Sequence, residues 1–399
     1  MLSGQVMGRD PVPSSSLVGT SALMPVYAQL PVRPVSGRGS WIIDEDGARW
    51  LDAYGGHAVA STGHCHPDVV AAISKQAGEL LFYSTALPHP LREQLATALV
   101  ALCPQPLSQV FFCNSGAEAN ENALHLARKV TGRQGVVSLS GGWHGRTVAT
   151  LAVTDGEKYM AGARRAGMPL SHKIPFSDLY ALEQALTTDI AAVILEPVQG
   201  MSGARAVTSD FLQGARALCD ARGALLIFDE VQCGVGRTGS FTAAESFGVV
   251  PDVLTMAKGL ASGFPMAAVM TTPRVAAHLV HGDLGSTFGG GPLACAAALA
   301  TLQVIQREGL LANVKAVSAH LRAGALALGS QRVSDVQGRG LLLGLRLLRP
   351  AAEVQKQLFA HRVLTGTASD PHILRLLPPL SFSMAEADLL LAALSEVLK

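Results

Sequence analysis

The sequence predicts an α/β protein built on a mostly parallel sheet with helices on both faces. Two observations carry this. First, short and mainly apolar runs recur, each bounded by turn residues: Val110–Cys113, Val136–Leu139, Ala191–Leu195, Ala224–Phe228 and Val253–Ala257. Runs without polar alternation mark strands covered on both faces, the habit of parallel sheets. Second, three of the runs end in side chains able to do chemistry: Glu196, the pair Asp229 and Glu230, and Lys258. Ligands of open α/β sheets sit beyond the carboxyl ends of the strands. With 399 residues, 49% of them hydrophobic, the chain can build a large core and more than one domain.

An amine and an acid at neighbouring strand ends suit pyridoxal phosphate. That cofactor needs a lysine for its aldehyde and an acid to keep its pyridine nitrogen protonated. The protonated ring is an electron sink, and a partly buried lysine of lowered pKa suits work as a base. Taken alone, Asp229 and Lys258 are better read as ordinary polar strand ends, so the rest of the chain decides.

Bulk properties exclude other classes. A formal net charge of +1 gives no field for nucleic acid or a membrane surface. The cysteines Cys65, Cys103, Cys113, Cys219, Cys233 and Cys295 are scattered without a C-x-x-C pair, so neither zinc nor a disulfide framework is expected. The first twenty residues lack the charged and apolar regions of a signal peptide, and no apolar run reaches the length of a membrane span. A cytoplasmic protein fits.

Taken in order, residues 1–24 read as a mobile arm. Trp41–Ile43 and Arg49–Leu51 flank Asp46-Gly47 and read as a hairpin. Gly63-His64-Cys65-His66-Pro67 lacks a fourth ligand for zinc and reads as a loop before a helix at 68–80. A strand at 110–113 turns into a helix at 116–130, where Ser115 and Glu118 have capping-box spacing. The free N–H groups of Gly116 and Ala117 at that helix start make an anion cradle, or simply a capped helix. After the strand at 136–139, Trp143 in a Gly-rich frame can stack on a flat ring. His144 is read as shaping that loop. Phe264–Thr271 reads as another strand, Pro292 opens an Ala-rich helix, and Gly338–Leu345 reads as one strand. Arg375 stands alone in an apolar run, where an arginine is costly unless paired.

The stretch Phe-Asp-Glu-Val-Gln-Cys-Gly-Val-Gly-Arg-Thr-Gly at 228–239, followed by Ala-Lys-Gly at 257–259, resembles the signature of class III aminotransferases of fold type I, and within them the acetylornithine aminotransferase group. The resemblance runs from about residue 25 to the end. It implies a seven-stranded large domain at 57–304 and a small domain formed by 1–56 and 305–399. It implies that Lys258 holds pyridoxal phosphate, that Asp229 faces the pyridine nitrogen and that Gln232 bonds the phenolic oxygen. Ser115, Gly116 and Ala117 would hold the phosphate, Trp143 would stack on the ring, and Thr287 would serve the phosphate of a partner subunit in a homodimer. Arg146, Glu196 and Arg375 would bind substrate. Two positions depart from the family pattern: Met201 where a glutamate is common, and Gly291 where an asparagine is common.

The implied reaction moves the distal amine of N-acetylornithine, or a similar ω-amino acid, to 2-oxoglutarate, giving a semialdehyde and glutamate. Acetyl-lysine, succinylornithine and ornithine are alternative donors. An aminomutase and a non-enzymatic regulator are the remaining readings.

Overall fold

The computed structural model describes residues 22–399. The arm expected at 1–24 lies almost wholly outside the described residues, and residues 22–33 contain no helix or strand.

Between Pro34 and Lys399 the centre is a seven-stranded sheet in the order Gln109–Cys113, Ala267–Thr271, Val253–Met256, Leu225–Asp229, Ile190–Leu195, Gly135–Leu139, His172–Ile174. Ala267–Thr271 runs antiparallel to both neighbours, and the other pairings are parallel. Every residue of the Ile190–Leu195, Leu225–Asp229 and Val253–Met256 strands is buried, which is why their sequences lack alternation. The expected strand at 264–271 begins only at Ala267. Pro265 has no N–H to give to a ladder, so Phe264–Met266 remain a loop.

Helix Gly116–Thr131 lies on the sheet against the Ile190–Leu195, Leu225–Asp229, Val253–Met256 and Ala267–Thr271 strands. Its inner face is small, with Ala119, Ala123 and Ala127 buried beside Leu124 and Leu126, so the axis approaches the strands closely. It ends at Gly132 in the left-handed conformation, with Arg128 and Lys129 in the last turn. Helix Pro292–Arg307 packs against helices Pro67–Glu79 and Pro90–Leu102 and under the Lys258–Ala261 turn.

The N-terminal hairpin forms as expected, Trp41–Asp44 against Arg49–Asp52, with Gly47 at φ +77 in the turn. A strand from the far end of the chain, Val363–Leu364, pairs with its second arm. A further sheet joins Val333–Arg339, Leu342–Leu347, Ile373–Leu376 and Gly366–Thr367. The single strand read over 338–345 is therefore a hairpin. Gly338 at φ +108 and Gly340 at φ +53 let the chain reverse just after Arg339, at the head of a leucine run that hides the turn.

Candidate active site

Asp229 closes its strand and lies in register with Thr255 on the next one. Only 2% of it is exposed, and a carboxylate so placed needs partners. Val231 N donates to Oδ1 at 3.0 Å, while Asn120 Nδ2 at 2.7 Å and His144 Nδ1 at 2.8 Å both reach Oδ2. Asn120 is itself fixed. It donates to the His144 carbonyl at 2.8 Å and accepts from Thr255 Oγ1 at 2.7 Å. The neighbouring Glu230 turns away and caps the short helix at Ala243, accepting from Ala243 N and Ala244 N at 2.6 and 2.7 Å. The two adjacent acids thus have different work, one facing the cavity and one holding a loop.

Lys258 follows the adjacent strand at φ +45, a left-handed conformation that costs a non-glycine residue on the order of 1–3 kcal/mol. The turn it opens is tied down by Ser61 Oγ, which donates to the Gly259 carbonyl at 2.6 Å. Burial pushes its amine pKa down, and the charges of Asp229 and Glu196 pull it partly back.

At the start of helix Gly116–Thr131, Ser115 Oγ accepts from Glu118 N at 3.2 Å. The capping box expected there is only half made, because Glu118 reaches back to Asn114 N at 2.8 Å instead of to Ser115. The complete box lies elsewhere, between Ser383 and Glu386. The first-turn N–H groups of Gly116 and Ala117 have no intrahelical acceptor. A Cβ on Gly116 would sit 2.6 Å from Val231 Cγ1, so glycine brings the helix end against the Asp229 loop.

The Trp143 loop is anchored to Glu196, whose Oε1 accepts from Trp143 N at 2.8 Å and whose Oε2 accepts from Gly200 N at 3.1 Å. Burial, and then the nearby Asp229 charge, raise the Glu196 pKa to about 7. Gly200 also accepts, through its carbonyl, from Arg375 Nη1 at 3.1 Å. Glu196 and Arg375 therefore face one another across a single residue without a direct ion pair. A Cβ on Gly200 would fall 1.6 Å from Gln232 Oε1, so Gln232 lies directly over that glycine.

These parts enclose one cavity of about 380 Å³. Ser115, Gly116, Ala117, Trp143, Glu196, Asp229, Gln232 and Lys258 are on its wall. Arg146 stacks over Trp143 at 5.2 Å and Tyr159 at 5.7 Å, outside the wall. Arg375 stands behind Gly200, and Thr287 is exposed beside Ser286, which donates to Glu118 Oε1 at 2.6 Å. The two histidines of 63–67 have other partners: His64 meets Asp52 at 2.8 Å and His66 meets Glu308 at 3.1 Å.

Residues 24–398 match the family described as aminotransferase class-III. The chain belongs to that family. A class-III aminotransferase of this kind is similar to acetylornithine aminotransferase 1 of Bordetella pertussis, with 42% identity over 95% of this chain and 98% of that one. Among solved structures it resembles N-acetylornithine aminotransferase of Stenotrophomonas maltophilia, at 34% identity and TM-score 0.80 over 92% of this chain and 95% of that one. It also resembles a pyridoxal-phosphate-bound amine transaminase from an uncultivated Pseudomonas species, at 29% identity and TM-score 0.86 over 95% and 98%. The architecture is fold type I, and the enzyme is a pyridoxal-phosphate-dependent transaminase.

The class-III aminotransferase cavity fits that cofactor in the chemistry of its wall. A helix start suits the phosphate, a buried carboxylate suits the pyridine nitrogen, a lysine of lowered pKa suits the aldehyde, and a tryptophan suits the flat ring. Sequence reasoning missed the residues that hold Asp229. Asn120 was visible inside Ala-Glu-Ala-Asn-Glu, and His144 beside Trp143, but nothing local ties either to an acid so far along the chain.

Proposed function

We propose that this transaminase takes the distal amine of N-acetylornithine and passes it to 2-oxoglutarate, releasing a semialdehyde and glutamate. The donor rests on the likeness to acetylornithine aminotransferases at 42% identity over 95% of the chain. The acceptor is supported by Arg375, a buried guanidinium whose hydrogen-bond partners are two carbonyls and a phenol, with no carboxylate among them. A panel of amines with 2-oxoglutarate, read as glutamate formed, tests the donor. N-acetylornithine is expected to give the highest kcat/KM, and a clear preference for ornithine or acetyl-lysine would replace it.

When bound, pyridoxal phosphate supplies the electron sink that lets a substrate C–H be lost as a proton. Lys258 would hold the cofactor and then carry that proton. Asp229, oriented by Asn120 and His144, would keep the ring nitrogen protonated. Gly116, Ala117 and the Ser115 hydroxyl would hold the phosphate, Trp143 would cover the ring, and Gln232 would bond the phenolic oxygen. If Gln232 has that role, Gly200→Ala displaces its amide and weakens cofactor binding by roughly tenfold, the effect of one lost hydrogen bond to a polar group. Fluorescence titration of the apoenzyme measures it, and unchanged affinity would release Gln232 from the assignment.

Arg146 would take the carboxylate common to both substrates and Arg375 the one peculiar to 2-oxoglutarate and glutamate. Glu196 would exchange its Trp143 and Gly200 contacts for Arg375 when the amine donor binds. Arg375→Ala is then expected to cost 2-oxoglutarate roughly 2–5 kcal/mol and the amine donor less. Equal losses in the two half-reactions, followed separately by single-turnover absorbance, would remove Arg375 from the switch.

The active unit is proposed to be a cytoplasmic homodimer, with Thr287 of each subunit serving the phosphate held by the other. The exposed Leu81, Phe82, Tyr83 and Phe288, with the Phe82 and Phe288 rings 5.0 Å apart, support an apolar interface near Thr287. Sedimentation of a fully active monomer would contradict it. The cysteines among the described residues are free thiols, and no described helix is long and apolar enough to cross a membrane.

A further inference from the structure

Arg375 is held by an unusual set of contacts. Its Nε donates to the Thr367 carbonyl at 2.6 Å, Nη1 to the Gly200 carbonyl at 3.1 Å and Nη2 to the Tyr54 hydroxyl at 2.8 Å. A guanidinium has five donors, so one hydrogen on each terminal nitrogen is left for a carboxylate to take as a pair. The Tyr54 oxygen lies 2.9 Å from His57 Nδ1. Because that oxygen accepts from Arg375, its own hydrogen is available to Nδ1, which can accept it only when the imidazole is neutral. His57 is solvent-exposed on one side, but desolvation of its ring, then the Arg375 and Lys258 charges, push its pKa below its ordinary value, while Asp52 opposes them. The phenol pKa is raised by burial, so it keeps its hydrogen at neutral pH.

The surroundings are shaped for this chain of contacts. Gly366 pairs with Arg375 across the sheet, and a Cβ on Gly366 would lie 2.0 Å from Tyr54 Cε2. The tyrosine ring therefore rests on a bare α-carbon beside the arginine. His57 is presented by a left-handed turn in which Gly55, Gly56, His57 and Ala58 all have φ between +55 and +68. Two non-glycine residues in that conformation are costly, and Gln232 Nε2 ties the turn to the cavity wall through the His57 carbonyl at 3.3 Å.

We infer that Tyr54 is a positioning residue for Arg375: seated on Gly366 and oriented by His57, it aims the guanidinium at the carboxylate of 2-oxoglutarate. This rests on the reading of Arg375 as a carboxylate ligand. The experiment compares KM for 2-oxoglutarate in holoenzyme carrying Tyr54→Phe, Arg375→Ala and both. Tyr54→Phe keeps the ring and its packing, so a merely structural tyrosine would leave KM alone. The expected result is a rise of roughly tenfold for Tyr54→Phe, a smaller change for the amine donor, and no further rise when it is added to Arg375→Ala. Gly366→Ala, which pushes the ring from its seat without altering either polar group, is expected to raise KM in the same direction. If Arg375→Ala raises KM but folded Tyr54→Phe and Gly366→Ala do not, or if the effects add in the double variant, the inference is overturned and the carboxylate reading stands. If Arg375→Ala leaves KM for 2-oxoglutarate unchanged, both fall.

Discussion

Lys258→Ala is expected to lower transamination by roughly 10⁴-fold, the upper range for loss of a positioned acid–base group. Lys258 is on the cavity wall with Asp229, and its amine is shifted toward the neutral form that can attack an aldehyde or accept a proton. No other lysine is on the wall of that cavity. Alanine keeps the backbone and removes only the amine, so the variant should fold with unchanged circular dichroism and still bind the phosphate end of the cofactor. Glutamate formation with N-acetylornithine and 2-oxoglutarate is the readout. Turnover within tenfold of the parent would mean that another group carries the proton.

Asp229→Asn is the second large effect, with an expected loss of roughly 10²–10³-fold, the scale of removing one preorganised electrostatic contact from an active site. The amide is nearly the same shape and can still accept from His144 Nδ1, which now approaches at 2.8 Å. What it lacks is the charge that favours a protonated ring nitrogen and one acceptor oxygen, so its NH2 faces Val231 N and some stability, about 1–3 kcal/mol, is lost with that contact. In the folded variant kcat should fall in both half-reactions alike, because ring protonation serves both. A near-normal kcat would show that the ring does not depend on this acid.

The parts of the site that were legible in the sequence share one physical cause. A strand buried on both faces must be apolar throughout, so a carboxylate or amine at its end stands out, and Asp229, Glu196 and Lys258 were found that way. The helix start at Ser115-Gly116-Ala117 was legible from its cap, although Glu118 closes on Asn114 and not on Ser115. The supports were not legible, since they act across sequence. Asn120 and His144 meet Asp229 from 109 and 85 residues away, and Tyr54 meets Arg375 from 321. Turn errors have a local cause. The leucine run after Gly340 drew Gly338 and Arg339 into one apparent strand and masked a hairpin, and Pro265 shortened a strand whose composition looked continuous.

The central claim is that Lys258 and the cavity around Asp229 hold pyridoxal phosphate. Borohydride reduction of the holoenzyme, followed by peptide mapping with mass spectrometry, fixes the cofactor to the lysine that carries it. A single phosphopyridoxyl group on Lys258 is the result expected here. A label on another lysine, such as Lys173, with Lys258 unmodified would contradict it.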